Sequence, residues 1–342
     1  MSNAPEIHYH EHGRFRVAGG IIPNAKTAYC TYGDPKNPCI VFPTCYGGRL
    51  DNTGLLGQEY LIGADKTLDP TKYFIVTPAL FCNGESSSPS NTPTPYNGPY
   101  FPAVSYEDNV RAHHELLAKL GVTKVHCAIG FSMGGQMAYY WAVMYPDLVD
   151  KYAVLCGSAR TSPHNICFLE GPKAALVASK DFDNGHYTAT PQHGIRAFGR
   201  VYSAWAYGQT WYREHGYLHD GQYTSLETFL REQWEEGFLV SWDANDMLAL
   251  LDTWQQGDVS RIRDNGDYAA CLKAIKAKGL IMPCRTDLYF APEDSEIEMG
   301  HLGNTARLVV IESIWGHLAG GGKNEKDDAF IKAQVRAFLD ET

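Results

Sequence analysis

The sequence is short of positive charge, of long apolar runs and of paired cysteines, and each shortage removes a class of function. Its 29 lysines and arginines stand against 39 aspartates and glutamates, a formal net charge of −10. That balance argues against nucleic acid or an anionic membrane surface as the main partner. No apolar stretch approaches the roughly 20 residues a membrane-spanning helix needs, so no membrane partner is expected. The opening residues Met1-Ser2-Asn3-Ala4-Pro5-Glu6 lack the basic and apolar segments of a secretory signal. The nine cysteines include no Cys-x-x-Cys pair, and several lie inside apolar runs, where a free thiol packs as a small hydrophobe. That pattern suits a reducing compartment, and a soluble cytoplasmic protein is expected. With 342 residues, 44% of them apolar, the chain can build one large α/β domain with an insertion, or two modest domains.

The most informative stretch is Cys127-Ala128-Ile129-Gly130-Phe131-Ser132-Met133-Gly134-Gly135-Gln136. An apolar, strand-like run passes through Gly-x-Ser-x-Gly into a segment of helical composition with no breaker before Pro146. Strand, tight turn with serine at its apex, then helix is the context of a nucleophile elbow. Glycines at 130 and 134 suit such a turn, because side chains there would meet the neighbouring strand and helix. The helix N-terminus beside Ser132 favours a developing oxyanion.

Around this stretch the chain alternates strands and helices. His8, His10 and His12 occupy alternate positions; on a strand they would share a face able to hold a metal, but an edge strand is the preferred reading. Residues 14–32 read as one or two antiparallel strands with a turn near Gly19-Gly20. Cys39-Ile40-Val41-Phe42 and Tyr73-Phe74-Ile75-Val76-Thr77-Pro78 read as buried parallel strands. The segment from Asn83 to Pro102 is too polar for core and too long for a plain connection, so it is expected to shape a site or wrap the surface. Ser105 to Asp108 opens a helix ending at Gly121, on which His113 and His114 read as surface residues. Tyr152-Ala153-Val154-Leu155-Cys156 is a further strand. From Ser162 to about Trp254 the alternation lapses into aromatic-rich helices, around 173–179, 194–207, 225–238 and 244–254. The sheet resumes at Gly279–Pro283 and at Ala306–Ile311, and a last helix covers about 326–339. The fold class expected is α/β: a mostly parallel, doubly wound sheet with a helical lid inserted after the sixth strand. The expected core is 1–161 with 256–342, and the expected lid is 162–255. The lid's apolar faces would pack on the core or, equally, form a homodimer contact.

A serine hydroxyl is a weak nucleophile that needs a base, and the base needs an orienting carboxylate. In chain order Ser132, Asp287 and His317 fit those roles, each on a loop directly after a strand. Glu293 and Asp294 compete for the acid position, but Asp287 follows the strand most closely. The oxyanion hole is expected from the Met133 N–H and from that of Cys45 or Tyr46, in the loop after the first buried strand. No metal or organic cofactor is implied, and the expected partner is a small acyl substrate.

These motifs resemble the homoserine O-acetyltransferase family of α/β-hydrolase-fold proteins over nearly the whole chain. The residues that carry the resemblance are Gly130-Phe131-Ser132-Met133-Gly134-Gly135 with Trp141-Ala142 and Tyr145-Pro146-Asp147. Gly98-Pro99-Tyr100-Phe101-Pro102, Trp242-Asp243-Ala244-Asn245, Thr286-Asp287 and Gly316-His317 add to it. The resemblance implies that Arg200 and Tyr207 engage a substrate carboxylate, with a salt bridge inside the lid as the equal alternative for Arg200. It also implies an amine-pairing aspartate directly after the histidine, where this chain has Leu318, and a small hydroxyl where it has Tyr46. An apolar residue at an amine site discriminates against an ammonium group, which would be left unpaired. Tyr46 and Leu318 therefore join Arg200 and Tyr207 as candidate substrate residues, in a divergent, hydrolase-like branch of the family. The leading function is a serine hydrolase of a small ester or related acyl compound. The alternatives are an acetyl-CoA-dependent O-acetyltransferase and a non-catalytic binding protein that keeps the pocket.

Overall fold

A computed structural model describes residues 5–51 and 60–341 of the chain, so residues 1–4 of the opening segment lie outside the described residues. Strands β1 (His8–Val17) and β2 (Gly20–Tyr32) form an antiparallel hairpin, and β3 (Cys39–Val41) and β4 (Phe74–Pro78) follow. Helix α1 (Tyr106–Lys119) begins at Ser105 with a reciprocal capping box. The Ser105 hydroxyl accepts from Asp108 N–H at 3.1 Å, and Asp108 accepts from Ser105 N–H at 2.8 Å. The same carboxylate oxygen accepts from Ala18 N–H at 2.8 Å, tying α1 to the hairpin turn. Next come β5 (Val125–Phe131), α2 (Met133–Met144) and β6 (Val149–Leu155).

Between β6 and the next strand lie α3 (Pro163–Val177), α4 (Gln192–Ala206), α5 (Gln209–Arg213), α6 (Leu226–Phe229), α7 (Glu236–Ser241), α8 (Ala244–Gln255) and α9 (Tyr268–Lys273). The chain then returns to β7 (Lys278–Met282), α10 (Pro292–Leu302), β8 (Ala306–Leu308) and α11 (Glu325–Asp340). The sheet order is β1-β2-β4-β3-β5-β6-β7-β8, and every neighbouring pair from β4 to β8 is parallel. This is the mostly parallel α/β sheet read from the sequence, with the helical insertion after the sixth strand.

Side chains alternate between the two faces of the central strands. Val41, Val76, Ala128 and Ile281 join one core with α1, α2 and the insertion, while Ile40, Ile75, Ile129 and Leu280 join a second under α11. Both faces are covered, which is why these strands read as continuous apolar runs.

Several expectations need correction. Helix α3 starts ten residues earlier than residue 173: Ser162 caps it by accepting from Asn165 N–H, Pro163 takes the first turn, and the helix continues through Pro172. Asn83 and residues 85–88 are buried despite their polarity, because each polar group is paired. The Ser86 hydroxyl accepts from Ala28 N–H at 3.0 Å and donates to Ala79 O at 2.8 Å. The Glu85 carboxylate accepts from Leu50 N–H at 2.9 Å and from the Asn83 amide at 2.9 Å. His113 is buried rather than on the surface, and burial pushes its pKa down to about 3. His114 stacks on Tyr145, ring centroids 4.2 Å apart.

Candidate active site

Strand β5 delivers Ser132 to the C-terminal edge of the sheet in a strained turn, with φ 59° and ψ −125°. Its N–H donates to Leu155 O at 2.9 Å and its carbonyl accepts from Gln136 N–H at 3.1 Å, so both neighbouring elements fix the turn. The turn closes so tightly that a Cβ on Gly130 would lie 1.9 Å from Gly134 O, which no side chain tolerates. Gly157, at the end of β6, is held to glycine by the other side of the turn: its Cβ would meet Ser132 O at 2.9 Å.

The parallel order β5-β6-β7-β8 places the loops after β7 and β8 on the same edge. Asp287 follows β7, and His317 sits in a short 3-10 turn, Gly316–Gly321, after β8. The Ser132 hydroxyl donates to His317 Nε2 at 2.8 Å, and His317 Nδ1–H donates to Asp287 Oδ2 at 2.8 Å. The other Asp287 oxygen accepts from the backbone N–H groups of Tyr289 and Phe290 at 2.8 and 3.1 Å. That second pair of bonds fixes the carboxylate, the carboxylate fixes the tautomer and tilt of the imidazole, and Nε2 is left as the base. Ser132, Asp287 and His317 are all buried. Glu293 and Asp294 lie in the first turn of α10, and it is Asp287 that reaches the imidazole.

Three rings hold His317 in place: Phe131 at 4.7 Å, Tyr289 at 4.6 Å and Phe290 at 5.7 Å between centroids. The sequence reading passed over Tyr289 and Phe290. The signal available was their position two and three residues after a loop aspartate, where backbone N–H groups bend back onto the carboxylate. The Thr286 hydroxyl accepts from Gly316 N–H at 3.1 Å and donates to Ser313 O at 2.9 Å, clamping the two catalytic loops together.

A cavity of about 230 Å³ opens over Ser132 and His317. Cys45 and Tyr46 stand in its wall beside Ser132, and the Met133 N–H lies in the first turn of α2. Burial pushes the Cys45 thiol up to about 12, so it stays protonated in the cavity wall. The Tyr46 ring lines the cavity, but its hydroxyl donates to Met247 O at 3.0 Å and is committed to the insertion. Tyr207 and Leu318 also line the cavity; Tyr207 stacks on Trp211 with centroids 3.7 Å apart. Among the described residues no carboxylate lines this space.

Arg200 is the exception among the candidate substrate residues. It is absent from the cavity wall, and its guanidinium pairs with Glu227 and Glu235 on the outer side of the insertion. Two carboxylates from neighbouring helices satisfy it, so nothing directs it at a ligand. On the outermost strand β1 and the neighbouring helix α1, His10, His12 and Glu115 bring one ligand atom each within 4.8 Å of one another. His12 is there already engaged by Glu115 and Thr27, each at 2.9 Å, and His8 packs on Tyr29 outside the group.

With this geometry in hand, the resemblance to known proteins is specific. Residues 38–186 match the family described as alpha/beta hydrolase fold. An ethyl acetate hydrolase of Pseudomonas veronii is 32% identical, over 94% of this chain and 91% of that protein. A homoserine O-acetyltransferase of Chloroherpeton thalassium is 30% identical, over 87% of this chain and 80% of its own length. The crystal structure of an acetylester hydrolase from Corynebacterium glutamicum superposes with a TM-score of 0.92 at 30% identity, over 98% of this chain and 96% of that one. The chain belongs to the α/β-hydrolase family, in the branch that holds homoserine O-acetyltransferases together with acetyl-ester hydrolases.

Proposed function

We propose that this protein is a serine ester hydrolase that cleaves small acyl esters through an acyl-enzyme on Ser132. The observation that carries this reading is the unbroken chain of 2.8 Å hydrogen bonds from Ser132 through His317 to Asp287 at the floor of the cavity. In the reaction the Ser132 oxygen attacks the ester carbonyl as His317 Nε2 takes its proton. The oxyanion is held by the Met133 N–H and by that of Cys45 or Tyr46. Collapse breaks the C–O bond, and the proton on His317 leaves with the alcohol. Water then attacks the acyl-serine, giving its proton to His317, and the acid departs as Ser132 is reprotonated.

Hydrolysis is favoured over transfer to homoserine by the cavity's chemistry. Leu318 follows the catalytic histidine, and the lining offers no carboxylate to an ammonium group, so such an acceptor would be held without its counter-charge. Residues 162–255 act as the lid, with 1–161 and 256–342 as the catalytic core. The lid touches the catalytic loops directly, since a Cβ on Gly316 would lie 2.6 Å from Gly208 N. A homodimer through the lid would use its exposed apolar residues Ile166, Val177, Val201, Leu226 and Val240, and sedimentation at several concentrations tests it. Among the described residues no helix is long and apolar enough to cross a membrane. The free cysteines, all buried except Cys167, fit the reducing cytoplasm.

The test is p-nitrophenyl acetate turnover by the protein and by Ser132→Ala, with thiol release from acetyl-CoA followed in parallel, with and without homoserine. Ester turnover lost in the variant, without homoserine-dependent thiol release, supports the hydrolase. Rapid homoserine-dependent release would instead make the protein an acetyltransferase with an unusual amine site.

A further inference from the structure

The cavity over Ser132 is lined by groups of two kinds. Besides Ser132, His317 and the apolar Leu318, its wall carries Lys323, His219 and Gln233. We propose that Lys323 and His219 form an anion-receiving wall, so that the enzyme selects esters bearing a carboxylate a few bonds from the carbonyl over neutral esters of equal size. This rests on the hydrolase reading and adds a substrate class to it.

Lys323 is positioned rather than loose. Just before it, the Tyr60 hydroxyl donates to Gly320 O at 2.8 Å, and Gly322, at φ 69°, is pressed so close to Tyr60 that a Cβ would meet the ring at 2.4 Å. Just after it, Asn324 caps α11 by accepting from Lys326 N–H at 2.9 Å. The lysine is thus strung between two anchored residues. Its side chain is solvent-accessible yet crowded by protein, as on a concave wall, and this surrounding burial pulls its pKa below the usual lysine range. Among the described residues no carboxylate forms an ion pair with it, and no carboxylate lines the cavity to compete for it.

His219 supplies the second, independent feature. Its Nε2 is enclosed and has no hydrogen-bond partner among the described residues. The ring is held by Trp211, Phe229 and Trp315, with centroids 5.6 to 5.9 Å away. An enclosed nitrogen without a partner is costly, and a ligand carboxylate satisfies it where the His219 ring turns that nitrogen to the cavity it lines. Gln233 adds a donor: its amide oxygen accepts from the Tyr223 hydroxyl at 2.7 Å, which leaves its NH2 for the cavity. One cation and neutral hydrogen-bonding groups, with no acid, are the complement of a carboxylate. Arg200, the cation that the family resemblance pointed to, is taken by Glu227 and Glu235. Lys323 leaves the charge at the cavity instead.

The carboxylate can sit on either side of the ester, and two substrate pairs separate the cases. Monoethyl succinate against ethyl succinamate places it on the acyl side. Acetylated γ-hydroxybutyrate against its primary amide places it on the alcohol side. The wild-type kcat/KM for the acid should exceed that for the amide by about tenfold or more in at least one pair, and added salt should shrink the ratio. Lys323→Met should bring the ratio to about one, and Lys323→Arg should retain it. A ratio of about one in the wild-type enzyme for both pairs, or a ratio that Lys323→Met leaves intact, overturns the proposal. Ser132→Ala separates the two levels of argument. If wild type shows no preference but turnover depends on Ser132, only the anion wall falls. If Ser132→Ala still turns the esters over, the hydrolase reading itself falls.

Discussion

The Ser132 oxygen and His317 Nε2, 185 positions apart in the chain, lie 2.8 Å from each other. No local interaction brings them together. The convergence is a property of the parallel sheet, which ends β5, β7 and β8 at one edge and lets three separate loops meet there. Because Asp287 is itself tied to Tyr289 and Phe290 N–H groups, the imidazole is held in place before any substrate arrives.

The carboxylate's role is tested by Asp287→Asn. An asparagine oxygen can still accept from Tyr289 and Phe290, so the loop should keep its shape. The NH2 then faces His317 Nδ1 and demands the other tautomer, in which Nε2 carries the proton and cannot act as base. We expect kcat on p-nitrophenyl acetate to fall by roughly 10⁴-fold, with an unchanged circular dichroism spectrum. A loss of less than about tenfold would mean that Asp287 does not orient the base.

The strained turn predicts a different failure for Gly130→Ala. The new methyl would sit 1.9 Å from Gly134 O and 2.0 Å from its carbonyl carbon, both backbone atoms that cannot swing aside. Either β5 or α2 must shift, and both are packed on all sides. The expected outcome is insoluble protein, or a loss of about 4 kcal/mol or more in urea unfolding. A variant as stable and active as the wild type would show that the elbow does not have this geometry.

Arg200→Ala should do little to catalysis. Its partners Glu227 and Glu235 lie on the insertion, and the Arg200 side chain is 40% exposed. Exposed ion pairs contribute about 0–1 kcal/mol, and Arg196 remains 3.4 Å from Glu235 to balance the carboxylate that is left. We expect kcat/KM for carboxylate-bearing and neutral esters to stay within about threefold of wild type. A tenfold rise in KM confined to the carboxylate esters would put Arg200 back at the substrate.

The contrast between Arg200 and Ser132 shows what the sequence could and could not reveal. The elbow was legible because its determinants, Gly130, Ser132 and Gly134, are neighbours along the chain and the turn's sterics are local. The sheet was legible because strands covered on both faces read as unbroken apolar runs. For Arg200 a substrate carboxylate and a salt bridge within the lid are equally open in the sequence, because the partners that decide, Glu227 and Glu235, come from elsewhere in the fold. The polarity of Asn83 and of residues 85–88 misled for a related reason. Their polarity spoke of surface, while the groups that satisfy it, on β2 and the loop at Leu50, are distant in sequence. His219 and Lys323 gave no signal at all, since a lone histidine in a helical segment and a lysine before a cap acquire meaning only from the cavity between them.

A pH dependence of stability should arise from Glu298 of α10, a buried carboxylate outside the cavity. It accepts from the Tyr139 hydroxyl at 2.6 Å, from Ala159 N–H at 2.7 Å and from the Tyr268 hydroxyl at 3.1 Å. Burial nonetheless dominates and raises its pKa from 4.5 to about 7, because the ionised form is poorly solvated there. The folded state therefore binds this proton more tightly than the unfolded chain does. Stability from this group is fully present below about pH 4.5 and is lost as pH rises toward 7. At about 1.4 kcal/mol per pKa unit, the loss across that window is on the order of 3 kcal/mol. Glu298→Gln keeps an acceptor for Ala159 N–H and removes the charge, so its urea midpoint should fall less than that of the wild type between pH 5 and 8. Parallel midpoint curves for the two proteins would show that the carboxylate titrates at an ordinary pKa in the fold.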